Sequence, residues 1–194
     1  MHASRKRTRK IPVKGTALLL IDVVSDFDFE DGDELLLQTL KIVNDLARFR
    51  RRVKKAGIPV IYANDNFGKW QEDFKTIVHR FAEPSAKGAD VVGPLVPDDK
   101  DFYVLKPHRS AFYSTSLALL LENLEIKRLI LAGITTDICI LFTANDAYMR
   151  GLELYIPCDC VAAVTPEYTE NTLDFAGRVL KADVRPSACL DFKD

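Results

Sequence analysis

Residues 129–149 read LILAGITTDICILFTANDAYM. An apolar run rich in Leu and Ile stops at Gly133, and helical spacing of apolar residues begins within four positions. The stretch is a buried strand followed at once by a helix, the unit from which parallel sheets are built. Cys139 lies about one turn into that helix, where unpaired N–H groups and the positive end of the dipole favour a thiolate over a thiol. Taken alone, Cys139 also reads as a small buried hydrophobe, since free cysteine is among the most buried residue types.

The same alternation extends in both directions. Strand candidates at 15–24, 59–63, 101–106, 127–133, 152–157 and 182–185 are separated by helical patterns at 34–56, 71–80, 117–124, 136–150 and 167–180. The helix at 34–56 places the basic cluster 50–55 at its C-terminal end and stops at Gly57, and Thr165-Pro166 is a cap followed by a first-turn proline. Residues 83–99, with Pro84, Pro94 and Pro97, read as a long excursion over the surface. The order implies a three-layer α/β/α sandwich around a mainly parallel sheet of about six strands, with right-handed crossovers.

Open parallel sheets bind ligands beyond the carboxyl ends of their strands. Applied here, the rule puts three unlike reactive groups on one edge: Asp22 ends the run GTALLLIDVV, Lys106 ends DFYVLK, and Cys139 follows residues 127–133. A carboxylate closing an otherwise apolar strand needs a partner, although Asp22 also reads as the cap of a following turn. In the catalytic reading Asp22 takes the thiol proton, Lys106 orients the carboxylate and lowers the thiol pKa, and the turn at 134–139 supplies oxyanion donors. The loops SDFDFEDGD at 25–33 and NDNFGKW at 64–70 sit at the same edge, so Phe27, Asn66, Trp70, Phe112 and Thr135 are candidate pocket lining. Of the three histidines only His108 lies near this edge, leaving a Cys139/His108 dyad as an alternative.

Composition narrows the class. The 194 residues are 47% hydrophobic and 28% charged with a formal net charge of -1, so neither bulk nucleic-acid binding nor membrane association is implied. Residues 1–13 form a basic tail, in which Arg5, Lys6, Arg7, Arg9 and Lys10 leave about -6 for the rest, and residues 14–194 form one domain. No apolar signal region follows the tail, which implies a cytoplasmic protein whose four cysteines are thiols. Cys158 and Cys160 are one residue apart, closer than zinc-knuckle spacing.

Three segments together carry a resemblance: LLLIDVVSDF at 18–27, VLKPHRSAF at 104–112 and LAGITTDICILFTANDA at 131–147. In order, spacing and strand-end context the chain resembles the isochorismatase-like cysteine hydrolases, which include nicotinamidases and N-carbamoylsarcosine amidohydrolases. The resemblance spans about residues 14–185 and implies Asp22 as general base, Lys106 as third member and Cys139 as nucleophile forming a covalent intermediate. It also implies a cis peptide at Ile134-Thr135 and assembly as a homodimer or larger homo-oligomer. Two departures stand out. Val24 occupies a position where the family often has Gln, and NDNFGKW lacks the histidines of the nicotinamidase metal site, so the expectation is no metal, no cofactor and a substrate other than nicotinamide. Some isochorismatases, which split a vinyl ether, lack the cysteine, so Cys139 favours amide, carbamoyl or ester-like substrates. A vinyl-ether hydrolase and a non-catalytic binding module are the alternatives.

Overall fold

The protein is described by a computed structural model covering residues 8–193. Strands β1 (Arg9–Pro12) and β2 (Thr16–Ile21) lead into helix α1 (Gly32–Lys55), then β3 (Val60–Asp65), α2 (Phe74–Ala82), α3 (Ala89–Val92), β4 (Phe102–Lys106), α4 (Leu117–Asn123) and β5 (Arg128–Ile134). A π-type turn at Thr136–Ile140 precedes α5 (Leu141–Met149), followed by β6 (Glu153–Tyr155), β7 (Val161–Ala162), α6 (Pro166–Arg178) and β8 (Leu190–Lys193). The main sheet has six parallel strands in the order β4-β3-β2-β5-β6, with β7 pairing the last residues of β5 on the edge whose first residues pair β6.

Strand β2 is buried along its whole length, as its uninterrupted apolar run requires. Alternation across it builds two cores. Leu18 and Leu20 face α1, α2 and α3, whereas Ala17, Leu19 and Ile21 face α4, α5 and α6. The three-layer sandwich follows directly.

Topology places the site. The chain runs from β2 outward through β3 to β4, then returns to the other side of β2 with β5, so strand order reverses between β2 and β5. That is the point at which carboxyl-end loops diverge and leave a crevice. Gly133 makes the close approach possible: its φ is +116°, and a Cβ there would lie 2.1 Å from the Ile21 carbonyl oxygen. Only glycine fits beside the residue that precedes Asp22.

Several expectations change. Arg9–Pro12, placed in the basic tail by composition, is a strand paired with β8, and Ile11 is fully buried. Ile11 and Leu190 in the main core, with Phe192 packed on Phe49, hold this two-stranded ribbon, and Ile11 by itself is a signal too short to stand out among the surrounding cations. Arg5, Lys6 and Arg7 lie outside the described residues. The expected strand at 182–185 reduces to a single bridge between Tyr155 and Asp183. The surface excursion at 83–99 contains α3 and a 3-10 turn at Gly93–Leu95 whose Val91, Val92 and Leu95 are buried. Among the described residues no helix is long and apolar enough to cross a membrane.

Candidate active site

Asp22 is the first residue beyond β2 and adopts φ 51°, a left-handed conformation that aspartate tolerates better than most side chains. One carboxylate oxygen, Oδ1, accepts from the Asp65 backbone N–H at 2.8 Å. The other, Oδ2, lies 2.8 Å from Lys106 Nζ. Asp65 ends β3 and pairs in register with Lys106 at the end of β4, so neighbouring strand ends bring both partners to the carboxylate.

Lys106 reaches past β3 and is 1% exposed. Its ammonium also donates to the His108 carbonyl at 3.2 Å and to Cys139 Sγ at 3.5 Å. One buried cation thus touches the base and the thiol together. Burial alone would discharge it, but Asp22, then Cys139, hold its pKa above the ordinary lysine value.

Cys139 occupies the π-type turn rather than an α-helix, since Ile140 N–H bonds to the Thr135 carbonyl five residues back at 3.0 Å. The peptide bond Ile134-Thr135 just before the turn is cis. The thiol is 7% exposed, packed with the core on the α4, α5 and α6 side of the sheet. Burial pushes its pKa up to about 12, Asp22 adds to the rise, and Lys106 only partly opposes both. Against the thiolate expected from the helix start, burial in the core favours the neutral thiol. Burial likewise lifts Asp22 above the ordinary carboxylate range, against the pull of Lys106 and the hydrogen bonds from Cys139 and Asp65. A carboxylate with a raised pKa beside a neutral thiol is a base facing an acid.

The remaining candidates separate. Phe27 is fully buried in the α1-side core and stacks on Phe29 at 6.4 Å, so it is packing rather than an open pocket wall. Asn66 is buried and accepts from Gly68 N–H, shaping the loop after β3. Trp70 is 77% exposed on that loop. Phe112 is buried in the same cluster as Cys139, beneath the Arg150 guanidinium at 4.7 Å. His108 is tied to Lys106 by its carbonyl, while its ring packs edge-on to Tyr113 at 4.9 Å.

Some contributors were not legible. Asn64, fully enclosed in β3, accepts from Val24 N–H at 3.0 Å and donates to Val24 O at 2.9 Å. Its amide pins the segment just after Asp22 where Val24 offers no polar side chain, and one buried polar residue in the apolar run PVIYAND was the signal. Thr135 Oγ1, Thr136 Oγ1 and Asp137 Oδ1 are buried without a hydrogen-bond partner among the described residues. Also among these residues, no three His, Cys, Asp or Glu side chains gather to hold a metal. A cavity of about 890 Å³ lies elsewhere, between α1 and α6 against β7. The chemistry, not the cavity size, marks the site.

A family model of the isochorismatase domain matches residues 16–180. YaaI, an uncharacterized isochorismatase family protein of Bacillus subtilis (strain 168), is 39% identical over 168 residues, spanning 87% of this chain and 92% of its own. Among solved structures, the nicotinamidase/pyrazinamidase PncA of Bacillus subtilis is 29% identical with a TM-score of 0.68, covering 88% of this chain and 98% of that one. N-carbamoylsarcosine amidase of Thermoplasma acidophilum is 25% identical with a TM-score of 0.65, covering 89% and 96%. The matched region contains all three strand ends that converge on the Lys106 ammonium, and the chain belongs to the isochorismatase family of hydrolases.

Proposed function

We propose that this protein is a cysteine hydrolase acting without a metal on a small-molecule amide, carbamoyl or ester-like substrate. The observation that carries the reading is the single buried ammonium of Lys106 bridging the Asp22 carboxylate and the Cys139 sulfur. Similarity to amidases, N-carbamoylsarcosine amidase among them, supports acyl chemistry at a C–N bond.

In this mechanism Asp22 takes the Cys139 proton as Sγ bonds to the carbonyl carbon, so the nucleophile is charged only while it reacts. Backbone N–H groups at the start of the 135–140 turn, unpaired by position within a helix, bind the oxyanion. Collapse of the adduct breaks the bond to the leaving group, which departs with the proton from Asp22 and leaves a thioester on Cys139. Water then gives a proton to Asp22 and attacks the thioester, and that proton returns to the sulfur as the acid leaves. Lys106 keeps the carboxylate aimed throughout and favours its ionised form before each proton is taken.

One observation also favours a second reading. An Asp22 with a raised pKa beside a neutral thiol is equipped to donate a proton, as vinyl-ether hydrolysis requires. Turnover of a panel of primary amides, carbamoyl compounds, esters and a vinyl ether, compared between the native protein and Cys139→Ala, separates the two. Loss of all turnover in the variant supports the cysteine mechanism; full turnover on a vinyl ether refutes it.

A further inference from the structure

The loop after β4, which carries the Lys106 carbonyl partner, is fastened to the helix that follows the nucleophile. Ala111 N–H donates to Thr143 Oγ1 at 3.0 Å, and Thr143 is fully buried. Ser110 Oγ donates to Asp146 Oδ2 and accepts from Phe112 N–H at 3.2 Å. Arg150 donates to Asp146 at 3.2 Å and lies over the Phe112 ring at 4.7 Å. Cys139, Thr143, Asp146 and Arg150 are spaced four, three and four residues apart, a single face running down from the nucleophile.

We propose that Thr143 and Asp146 are positioning residues that set the Lys106–Cys139 contact by locking the 110–112 loop to the helix of the nucleophile. The inference rests on the reading of Cys139 and Lys106 as catalytic partners. Lys106 Nζ is bound to the His108 carbonyl of that same loop, so a displacement of the loop moves the ammonium relative to the sulfur. The loop itself is irregular, with internal ties from Tyr113 N–H to Ser110 O and from Thr115 Oγ1 to Ala111 O. Those internal bonds fix its shape, and the α5 bonds fix where that shape sits. The charged groups facing the thiol are Asp22 from the end of β2 and Lys106 from the end of β4, with Asp65 of β3 acting on Lys106. Moving Lys106 away leaves Asp22 dominant and makes the thiol harder to ionise.

The test is alkylation of Cys139 by iodoacetamide between pH 7 and 10.5, read by mass spectrometry of the Cys139 peptide. Thr143→Val keeps the shape but removes the acceptor, and labelling at pH 9 is expected to fall about tenfold, the whole rising limb of the profile shifting about one unit to higher pH. Thr143→Ser keeps the acceptor and stays within about twofold of the native rate. Ser110→Ala, a milder change that retains the fold, slows labelling in the same direction. A purely structural role would lower the melting temperature without moving the pH profile. Native rates and profile in Thr143→Val or Ser110→Ala overturn the proposal, as does a Thr143→Ser as slow as Thr143→Val. Lys106→Met separates the two levels: if it labels like the native protein, the reading of the site fails with the clamp, whereas a slow Lys106→Met beside native rates in the clamp variants refutes the clamp alone.

Discussion

Replacing Asp22 by asparagine should make Cys139 more reactive towards an alkylating agent while abolishing hydrolysis. The thiol lies between opposite charges, with Lys106 Nζ 3.5 Å from the sulfur and Asp22 hydrogen-bonded to it. Coulomb attraction at 3.5 Å in an effective dielectric of about 20 is roughly 4.7 kcal/mol, which Asp22 opposes on a similar scale. Removing the carboxylate charge leaves Lys106 unopposed. Allowing roughly half for relaxation and water entry, the thiol pKa falls by about two units and the thiolate fraction at neutral pH rises about a hundredfold. A less basic thiolate is a weaker nucleophile, with a Brønsted slope of about 0.45, so the net gain in alkylation is about tenfold. Loss of the general base lowers turnover by about 10²- to 10⁴-fold. Iodoacetamide labelling of Cys139 and hydrolysis of the best substrate of the amide panel are measured on the same preparation. An Asp22→Asn protein that labels no faster than native, or that keeps native turnover, refutes the electrostatic account.

Three further outcomes follow from the geometry. The rate should decline as pH falls through an Asp22 pKa above the ordinary carboxylate range, because protonated Asp22 cannot accept the thiol proton, and Lys106 should impose no alkaline loss below the ordinary lysine range; a profile flat down to pH 4 contradicts this. Gly133→Ala drives a Cβ into the Ile21 carbonyl at a positive φ and should cost more than about 3 kcal/mol by urea unfolding, so an unchanged midpoint would show that β2 and β5 are less constrained. Phe142 and Met149, 52% and 73% exposed on α5, are expected to pack against a second copy, and lysine at both positions should convert a dimer in sedimentation to a monomer; a native protein already monomeric would refute the expectation.

The three reactive residues were legible because each interrupts or ends an apolar run where a charged or nucleophilic group needs a reason. Their convergence followed from the carboxyl-edge rule, which depends only on strand order. The state of Cys139 was not legible: a helix start suggests a thiolate, but burial in the α5-side core decides the sign, and burial is a property of packing. The π-type turn was hidden because the apolar spacing of 136–150 fits a helix whether or not one turn is widened. Nothing in the sequence singles out Thr143 and Asp146, and only the loop docked against them draws attention to them. Phe27 was misjudged for the converse reason, since an aromatic in an acidic loop looks available until its ring is found in the core.

The covalent step is the claim on which the account turns. Rapid acid quench during turnover of the best amide of the panel, followed by intact-mass and peptide mass spectrometry, should show an acyl increment on Cys139 that vanishes in Cys139→Ala along with the activity. Sustained turnover with no increment on Cys139, and the same rate in Cys139→Ala, would contradict it.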